Sequence, residues 1–330
     1  MKSILSRLFE HEKLSREEAK EVLIRIARAE YNPIQVASFL TVYQMRAIAL
    51  QELQGFREAL LELCIPFDTG GLETIDIVGT GGDGKQTFNI STLAAVVIAG
   101  AGYPVTKHGS YGVSSTVGSS NVLEALGYKF TNDTDVLKRQ LDRTNLCFLH
   151  APLFHPALKE VVPVRKQLGL KTFFNMLGPL VNPVNPLYQV LGTYSLELSR
   201  LYQYVMQEAG RRFAIIHTLD GNDEISLTDE VRVYANAGQL LISPEEMGFN
   251  RLKQEELSGG KDNEEAARIF HGVLNGTAPS ARTNVVLANA GMAIQCIKQE
   301  QSLADCVAEA RESLESGRAK TAFQQLLAIA

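Results

Sequence analysis

Three polar groupings in this 330-residue chain have residue types and spacings suited to a phosphorylated ligand. The first lies in T-I-D-I-V-G-T-G-G-D-G-K-Q-T-F-N-I-S-T, residues 74–92. Gly79, Gly81, Gly82 and Gly84 crowd a turn where a phosphate-sized group can approach the backbone and positive φ is cheap. Asp83, Thr87, Asn89, Ser91 and Thr92 surround that turn with polar atoms. Backbone N–H groups in such a turn, running into a helix N-terminus, form an anion site. The second grouping is K-H-G-S-Y-G-V-S-S, residues 107–115, with Ser119 beyond it. Lys107 offers a point charge, and Ser114, Ser115 and Ser119 offer neutral donors. The first reads as a phosphate-binding loop rather than an ordinary turn because of its polar set, whereas the second alone reads sooner as a solvated turn with an exposed lysine. Two loops repeating one logic point to a ligand with two phosphate groups.

The third grouping is L-D-G-N-D-E, residues 219–224. Adjacent carboxylates at Asp223 and Glu224 suit Mg²⁺, which takes carboxylates, water and substrate phosphate. Acidic Gly-Asn turns are common at surfaces, and only the company of two phosphate loops favours a metal bridging to a diphosphate. Arg165, in V-P-V-R-K-Q-L-G, has the fork to clamp a carboxylate through two parallel hydrogen bonds, although most helical arginines are exposed or paired. None of the six histidines stands at metal-ligand spacing from another, and no nucleophile elbow occurs. Covalent catalysis has no support.

These groups need elements to hold them. Thr74 to Val78 is a β-branched run suited to a buried strand. The Ala- and Leu-rich stretch Leu93 to Ala101 after Ser91 and Thr92 reads as a helix. A strand near Pro104–Thr106 runs into the second loop, and adjacent loops at strand C-termini share one crevice in an open sheet. Further strands are expected at Leu146–His150, Tyr188–Thr193 and Phe213–His217, with a hairpin over 231–242. Helices are expected around Ser120–Gly127, Thr134–Arg143, Pro156–Leu168 and Leu196–Ala209, and from Glu264 onward. This alternation marks a mainly parallel α/β sheet. Residues 1–66 instead read as three helices. Ser15 and Glu18 form a capping box, Asn32-Pro33 opens a second helix, and the third spans about Leu50 to Leu63. The fold class is therefore α/β, with a small all-helical N-terminal domain and a larger α/β domain with a mainly parallel central sheet. The helical domain covers 1–68 and is completed by the helix around 156–169; the larger covers 69–330. The stretch F-N-M-L-G-P-L-V-N-P-V-N-P, from Phe174, reads as a long irregular loop of the kind that often carries function.

Composition narrows the partners. A net charge of −5 and a pI near 5.8 do not make a nucleic-acid surface. The apolar run around Leu93 to Val105 is too short to span a bilayer. M-K-S-I-L-S-R-L-F-E at the start lacks the apolar region of a secretory signal. Cys64, Cys147, Cys296 and Cys306 are widely spaced, as buried thiols in a reducing compartment would be. A cytoplasmic location without membrane or nucleic-acid partners is expected.

The chain resembles the anthranilate phosphoribosyltransferase family of the nucleoside-phosphorylase-like class, over essentially its whole length. The motifs carrying the resemblance are D-I-V-G-T-G-G-D at 76–83, N-I-S-T at 89–92, K-H-G at 107–109 and V-S-S at 113–115. G-S-S-N-V-L-E-A-L-G at 118–127, P-V-R at 163–165, F-N-M-L-G-P-L-V-N-P at 174–183 and D-E at 223–224 continue the family's order. The resemblance implies transfer of phosphoribosyl from 5-phosphoribosyl 1-diphosphate to the amine of anthranilate, releasing diphosphate. It implies that the donor is held by Gly79, Gly82, Asp83, Thr87, Asn89, Ile90, Ser91, Thr92, Lys107, His108, Gly109, Ser110, Tyr111, Gly112, Val113, Ser114, Ser115 and Ser119. Gly79, Ser110 and Arg165 would face anthranilate. Two Mg²⁺ ions would be held, one by Ser91 and Glu224 and one by Asp223 and Glu224. A homodimer through the helical domain is implied as well. Ser110-Tyr111 departs from the family's usual Asn-Arg. Two other readings are a pyrimidine nucleoside phosphorylase, with less need of an Asp223–Glu224 site, and a non-catalytic nucleic-acid-binding relative, which should be basic.

Overall fold

The computed structural model of the chain describes residues 1–112 and 117–329. They form two compact units, one of Met1–Phe67 with Ala151–Pro183 and one of Asp68–His150 with Val184–Ala330.

The helical unit contains Lys2–Phe9, Arg16–Ala27, Pro33–Met45 and Leu50–Leu63. Its first helix is additional to the three expected: Lys2–Phe9 has no side-chain N-cap to announce it. Both caps read from sequence are present. Glu18 N donates to Ser15 Oγ at 3.2 Å while Ser15 N donates to Glu18 Oε2 at 2.9 Å. Asn32 and Gln35 exchange the equivalent pair. The helix expected over 156–168 is divided into a 3₁₀ turn, Pro156–Glu160, and an α-helix, Val162–Leu168. Pro163 is the cause: it has no N–H to donate backward, and it is at ease only in a helix's first turn. Phe39, Tyr43, Phe56 and Phe173 pack as an aromatic core, with Phe56 and Phe173 stacked at 4.5 Å.

The α/β unit is built on a seven-stranded sheet: β1 Ile75–Gly79, β2 Val105–Gly109, β3 Leu146–His150, β4 Tyr188–Gly192, β5 Arg212–Thr218, β6 Val231–Ala235 and β7 Gly238–Ile242. Their order is β3-β2-β1-β4-β5-β6-β7, with β1 to β5 parallel and the β6–β7 hairpin antiparallel. From β1 the chain steps outward through β2 and β3, then returns to place β4 on β1's other side. The strand order therefore reverses between β1 and β4, where open α/β sheets place their ligands. Helix Ile90–Gly100 lies at the centre of the core, Leu93 to Ala99 being buried all round. Its small residues let the sheet and the helices Ser280–Ile297 and Arg318–Ile329 pack closely against it. All four cysteines are free; Cys64 is half-buried and the others buried. Among the described residues no helix is long and apolar enough to cross a membrane.

Candidate active site

The acidic turn 219–224 folds back over the point where strand order reverses. Gly79 and Gly192, the last residues of β1 and β4, are register partners, and Asp223 rests on both. A Cβ on Gly79 would stand 2.5 Å from Asp223 Oδ2, and one on Gly192 would overlap the Asp223 carbonyl. Glycine is required at both by this close approach. Thr218, at the end of β5, closes the turn: its N donates to Asn222 O at 3.1 Å and its Oγ1 to Glu224 O at 2.7 Å. Asp223 Oδ2 accepts from Gly81 N at 2.5 Å and from Thr80 Oγ1 at 3.3 Å. Glu224 Oε1 accepts from Ser91 N at 2.9 Å, at the head of helix Ile90–Gly100. The pair is thus not a solvated surface turn: Asp223 is 6% exposed and Glu224 9%.

Burial and the facing Asp83 carboxylate push the Asp223 carboxyl well above the usual carboxylate range. Burial and the neighbouring Asp223 do the same to Glu224. Lys107 is no exposed loop lysine either. Strand β2 runs on past the expected Thr106 to Gly109, because Val105 to Gly109 pair in register with Leu146 to His150. Lys107 and His108 are therefore strand residues, and Lys107 is 2% exposed. Its Nζ donates to Ile77 O at 2.5 Å and lies 3.5 Å from Ser91 Oγ, with Asp76 and Glu224 as the nearby negative charges. Burial lowers its pKa. The ammonium lies at the Ile77 carbonyl and Ser91 Oγ, within the field of Asp76 and Glu224.

The glycine-rich loop is strapped from outside. Phe88 N donates to Leu257 O, Gly259 N to Gln86 O, and Thr87 bridges to Ser258. Gly82 takes φ +79, and Lys85 N donates to Asp83 Oδ1 at 3.1 Å. Asn89 precedes the helix and donates through Nδ2 to Val117 O. Ile90 and Thr92 are buried. In the second loop, His108 N donates to Asp76 Oδ1. Gly109 lies against Ser119, whose Oγ donates to Ser110 O at 3.1 Å. Tyr111 is 42% exposed, and its hydroxyl donates to Glu124 Oε1 at 2.7 Å. Gly112 N donates to Asn121 Oδ1. Val113, Ser114 and Ser115, expected to hold the donor, lie outside the described residues.

Arg165 belongs to the helical unit. It lies over the Phe174 ring at 5.4 Å and donates through Nη2 to Asn175 Oδ1 at 3.0 Å. Its buried Nε has no hydrogen-bond partner among the described residues, and burial lowers its pKa. A half-buried guanidinium with a spare donor is matched to a carboxylate. The loop from Phe174 holds two short helical turns, Phe174–Leu177 and Gly178–Leu180.

The oxygen set fits a hard divalent cation. The Asp83 carboxylate raises the proton affinity of Asp223 and Glu224, and Asp83 Oδ2 is buried without a hydrogen-bond partner among the described residues. No three His, Cys, Asp or Glu among the described residues are grouped to enclose an ion by themselves. An ion there would complete its shell with water and phosphate oxygens, as Mg²⁺ prefers. Gly192, Thr218 and the 257–259 strap were not evident in sequence. Gly192 alone carried a signal, a glycine closing an apolar strand.

Residues 71–320 match the glycosyl transferase family, a/b domain, and residues 2–64 the glycosyl transferase family, helical bundle domain. The chain is 55% identical to the anthranilate phosphoribosyltransferase of Bacteroides fragilis strain YCH46 over 329 residues, 100% of this chain and 99% of that one. It is equally similar, 55% over 325 residues, to that of Cytophaga hutchinsonii, covering 98% and 99%. The crystal structure of anthranilate phosphoribosyltransferase from Thermus thermophilus superposes with a TM-score of 0.91 at 35% identity, over 98% of both chains. The Saccharomyces cerevisiae enzyme in complex with PRPP and Mg gives 0.91 at 27% identity, over 99% and 96%. The buried acidic pair, the paired glycines beneath it, the strapped glycine-rich loop and the full-length matches agree, and the chain belongs to the anthranilate phosphoribosyltransferase family.

Proposed function

We propose that the carboxyl edge of β1, β2 and β5 holds the phosphoribosyl donor, and that Arg165 takes the carboxylate of the acceptor. The reaction is that of the family: phosphoribosyl passes from 5-phosphoribosyl 1-diphosphate to the anthranilate amine, and diphosphate leaves. One observation carries the placement. Asp223 and Glu224 are buried over Gly79 and Gly192, at the reversal of strand order, with the Ser91 amide on Glu224.

Breaking the anomeric C–O bond leaves positive charge on the sugar and negative charge on diphosphate. Mg²⁺, when bound, supplies Lewis-acid neutralisation of that leaving group. Asp223 and Glu224 would hold one ion, and Ser91 and Glu224 a second. Lys107 contributes positive charge at 3.5 Å from Ser91 Oγ. Gly79, Gly82, Asp83, Thr87, residues 89–92, residues 107–115 and Ser119 are assigned to the donor. Gly79 and Ser110, with Arg165, are assigned to face the acceptor. That amine is already a nucleophile, so Arg165's part is orientation rather than proton removal. The protein is read as a cytoplasmic homodimer joined through the helical unit, whose Phe9, Ile34 and Met45 are exposed.

The deciding assay follows anthranilate fluorescence in the presence of the donor. A Mg²⁺-dependent loss of fluorescence is expected. Consumption of a nucleobase or another aromatic amine instead would overturn the acceptor and leave the donor assignment standing.

A further inference from the structure

Helix Ser280–Ile297 is apolar through its middle, yet it buries Asn289 at 1% exposure between Ala288 and Ala290. A carboxamide in such surroundings is costly unless its hydrogen bonds are made. Here they are. Asn289 Oδ1 accepts from Ile225 N at 3.1 Å, while Nδ2 donates to Ile225 O at 2.8 Å and to Val285 O at 2.8 Å. Because Ile225 presents a donor and an acceptor, only one orientation of the amide satisfies all three bonds. Ile225 directly follows Glu224. The side chain of Asn289 thus grips both polar groups of that residue as a paired strand would. Thr218 Oγ1 holds the Glu224 carbonyl from the other side, at 2.7 Å.

We propose that Asn289 is a positioning residue for the Glu224 carboxylate, holding it at the Ser91 amide where a divalent cation and diphosphate bind. The inference rests on the metal reading given above. Besides the Thr218 hydroxyl on its carbonyl and the Ser91 amide on its carboxylate, Glu224 is held through its chain neighbours: Asp223 on one side rests on Gly79 and Gly192, which offer no side chains to pack against. A rigid anchor must come from the adjoining residue. Helix Ser280–Ile297 can supply it because it packs against the sheet and against helix Ile90–Gly100, which carries Ser91. One buried amide therefore ties the backbone beside the carboxylate to a helix packed against the one whose N-terminus faces it. Outer groups that orient metal ligands typically matter 10- to 100-fold in metal affinity.

The test is calorimetric titration of Mg²⁺–diphosphate into the full-length protein, which needs no turnover. Asn289→Ser and the nearly isosteric Asn289→Asp should each weaken binding by about tenfold. Each should also raise the Mg²⁺ concentration giving half-maximal rate, with the anthranilate KM moving by less than about twofold. In a Glu224→Gln background the same substitutions should change affinity no further, since their effect passes through that carboxylate. A fall in Tm without a change in affinity, or an equal further loss in the Glu224→Gln background, would make Asn289 a stabilising residue only. Failure of both variants to fold while Glu224→Gln folds would lead to the same rejection. If Glu224→Gln itself binds Mg²⁺–diphosphate as wild type does, the metal reading falls, and this inference with it.

Discussion

Ser91 and Glu224 lie 133 positions apart, yet the Ser91 amide donates to Glu224 Oε1 at 2.9 Å. A helix N-terminus carries partial positive charge and suits a carboxylate. That one interaction does not offset burial beside Asp223, which keeps the Glu224 carboxyl well above its usual range. The two adjoining carboxyls therefore keep their protons to higher pH than exposed carboxyls do.

Replacing the pair should separate activity from stability. Asp223→Asn with Glu224→Gln should abolish most turnover and leave the fold intact. Both carboxyls have raised folded pKa values, so their stabilising contribution is greatest below the ordinary carboxylate range. It is lost as pH rises from there through neutrality. Without Mg²⁺, the melting temperature of wild type should therefore fall relative to the double variant between about pH 4 and about pH 8. Parallel melting curves across that range, or wild-type Mg²⁺ dependence of the variant's rate, would contradict the assignment.

Arg165→Ala should raise the anthranilate KM far more than the donor KM. Charge-assisted hydrogen bonds contribute about 1.5–3 kcal/mol, which corresponds to roughly 10- to 100-fold. Arg165→Lys should not restore it, since an ammonium lacks the planar fork. Equal changes in both KM values would point to a structural role in seating Asn175 and Phe174.

Ser110→Asn should be tolerated. The Ser110 carbonyl is held by Ser119 Oγ and Ser120 N, so the substitution changes the side chain on a fixed backbone. The anthranilate KM should move by no more than about threefold, under the ~1.4 kcal/mol of a tenfold change. A change of acceptor preference in this variant would show that position 110 governs specificity.

His155 should make the helical unit acid-sensitive. Burial lowers its pKa from 6.5 to about 4, outweighing the hydrogen bonds at the Val181 and Leu60 backbones. A depressed value means that stability present above pH 6.5 is lost as pH falls toward 4. Relative to His155→Gln, wild type should lose up to about 3 kcal/mol of unfolding free energy across that window. Denaturant titrations at about pH 7 and about pH 4 measure it, and equal losses in the two proteins would refute it.

Signals carried by neighbouring residues were enough for much of this protein. The caps at Ser15 and Asn32, the β-branched run before Gly79, the alternation from Thr74 and the hairpin over 231–242 depend on local spacing. So did the polar loops and the adjacency of Asp223 and Glu224. Boundaries fared worse where a neighbour in space decides them. Strand β2 continues through Lys107 and His108 because β3 offers partners, which turned an expected loop lysine into a buried one. The helix expected over 156–168 breaks at Val161, just ahead of Pro163. Only the tertiary structure decided that the acidic turn is buried. That depends on β4 inserting beside β1, on two glycines meeting in register, and on an asparagine from a distant helix reaching Ile225. Side-chain spacing encodes periodicity along one element. Burial, and with it the raised proton affinity of Asp223 and Glu224, arises from the chain segments that pack over them.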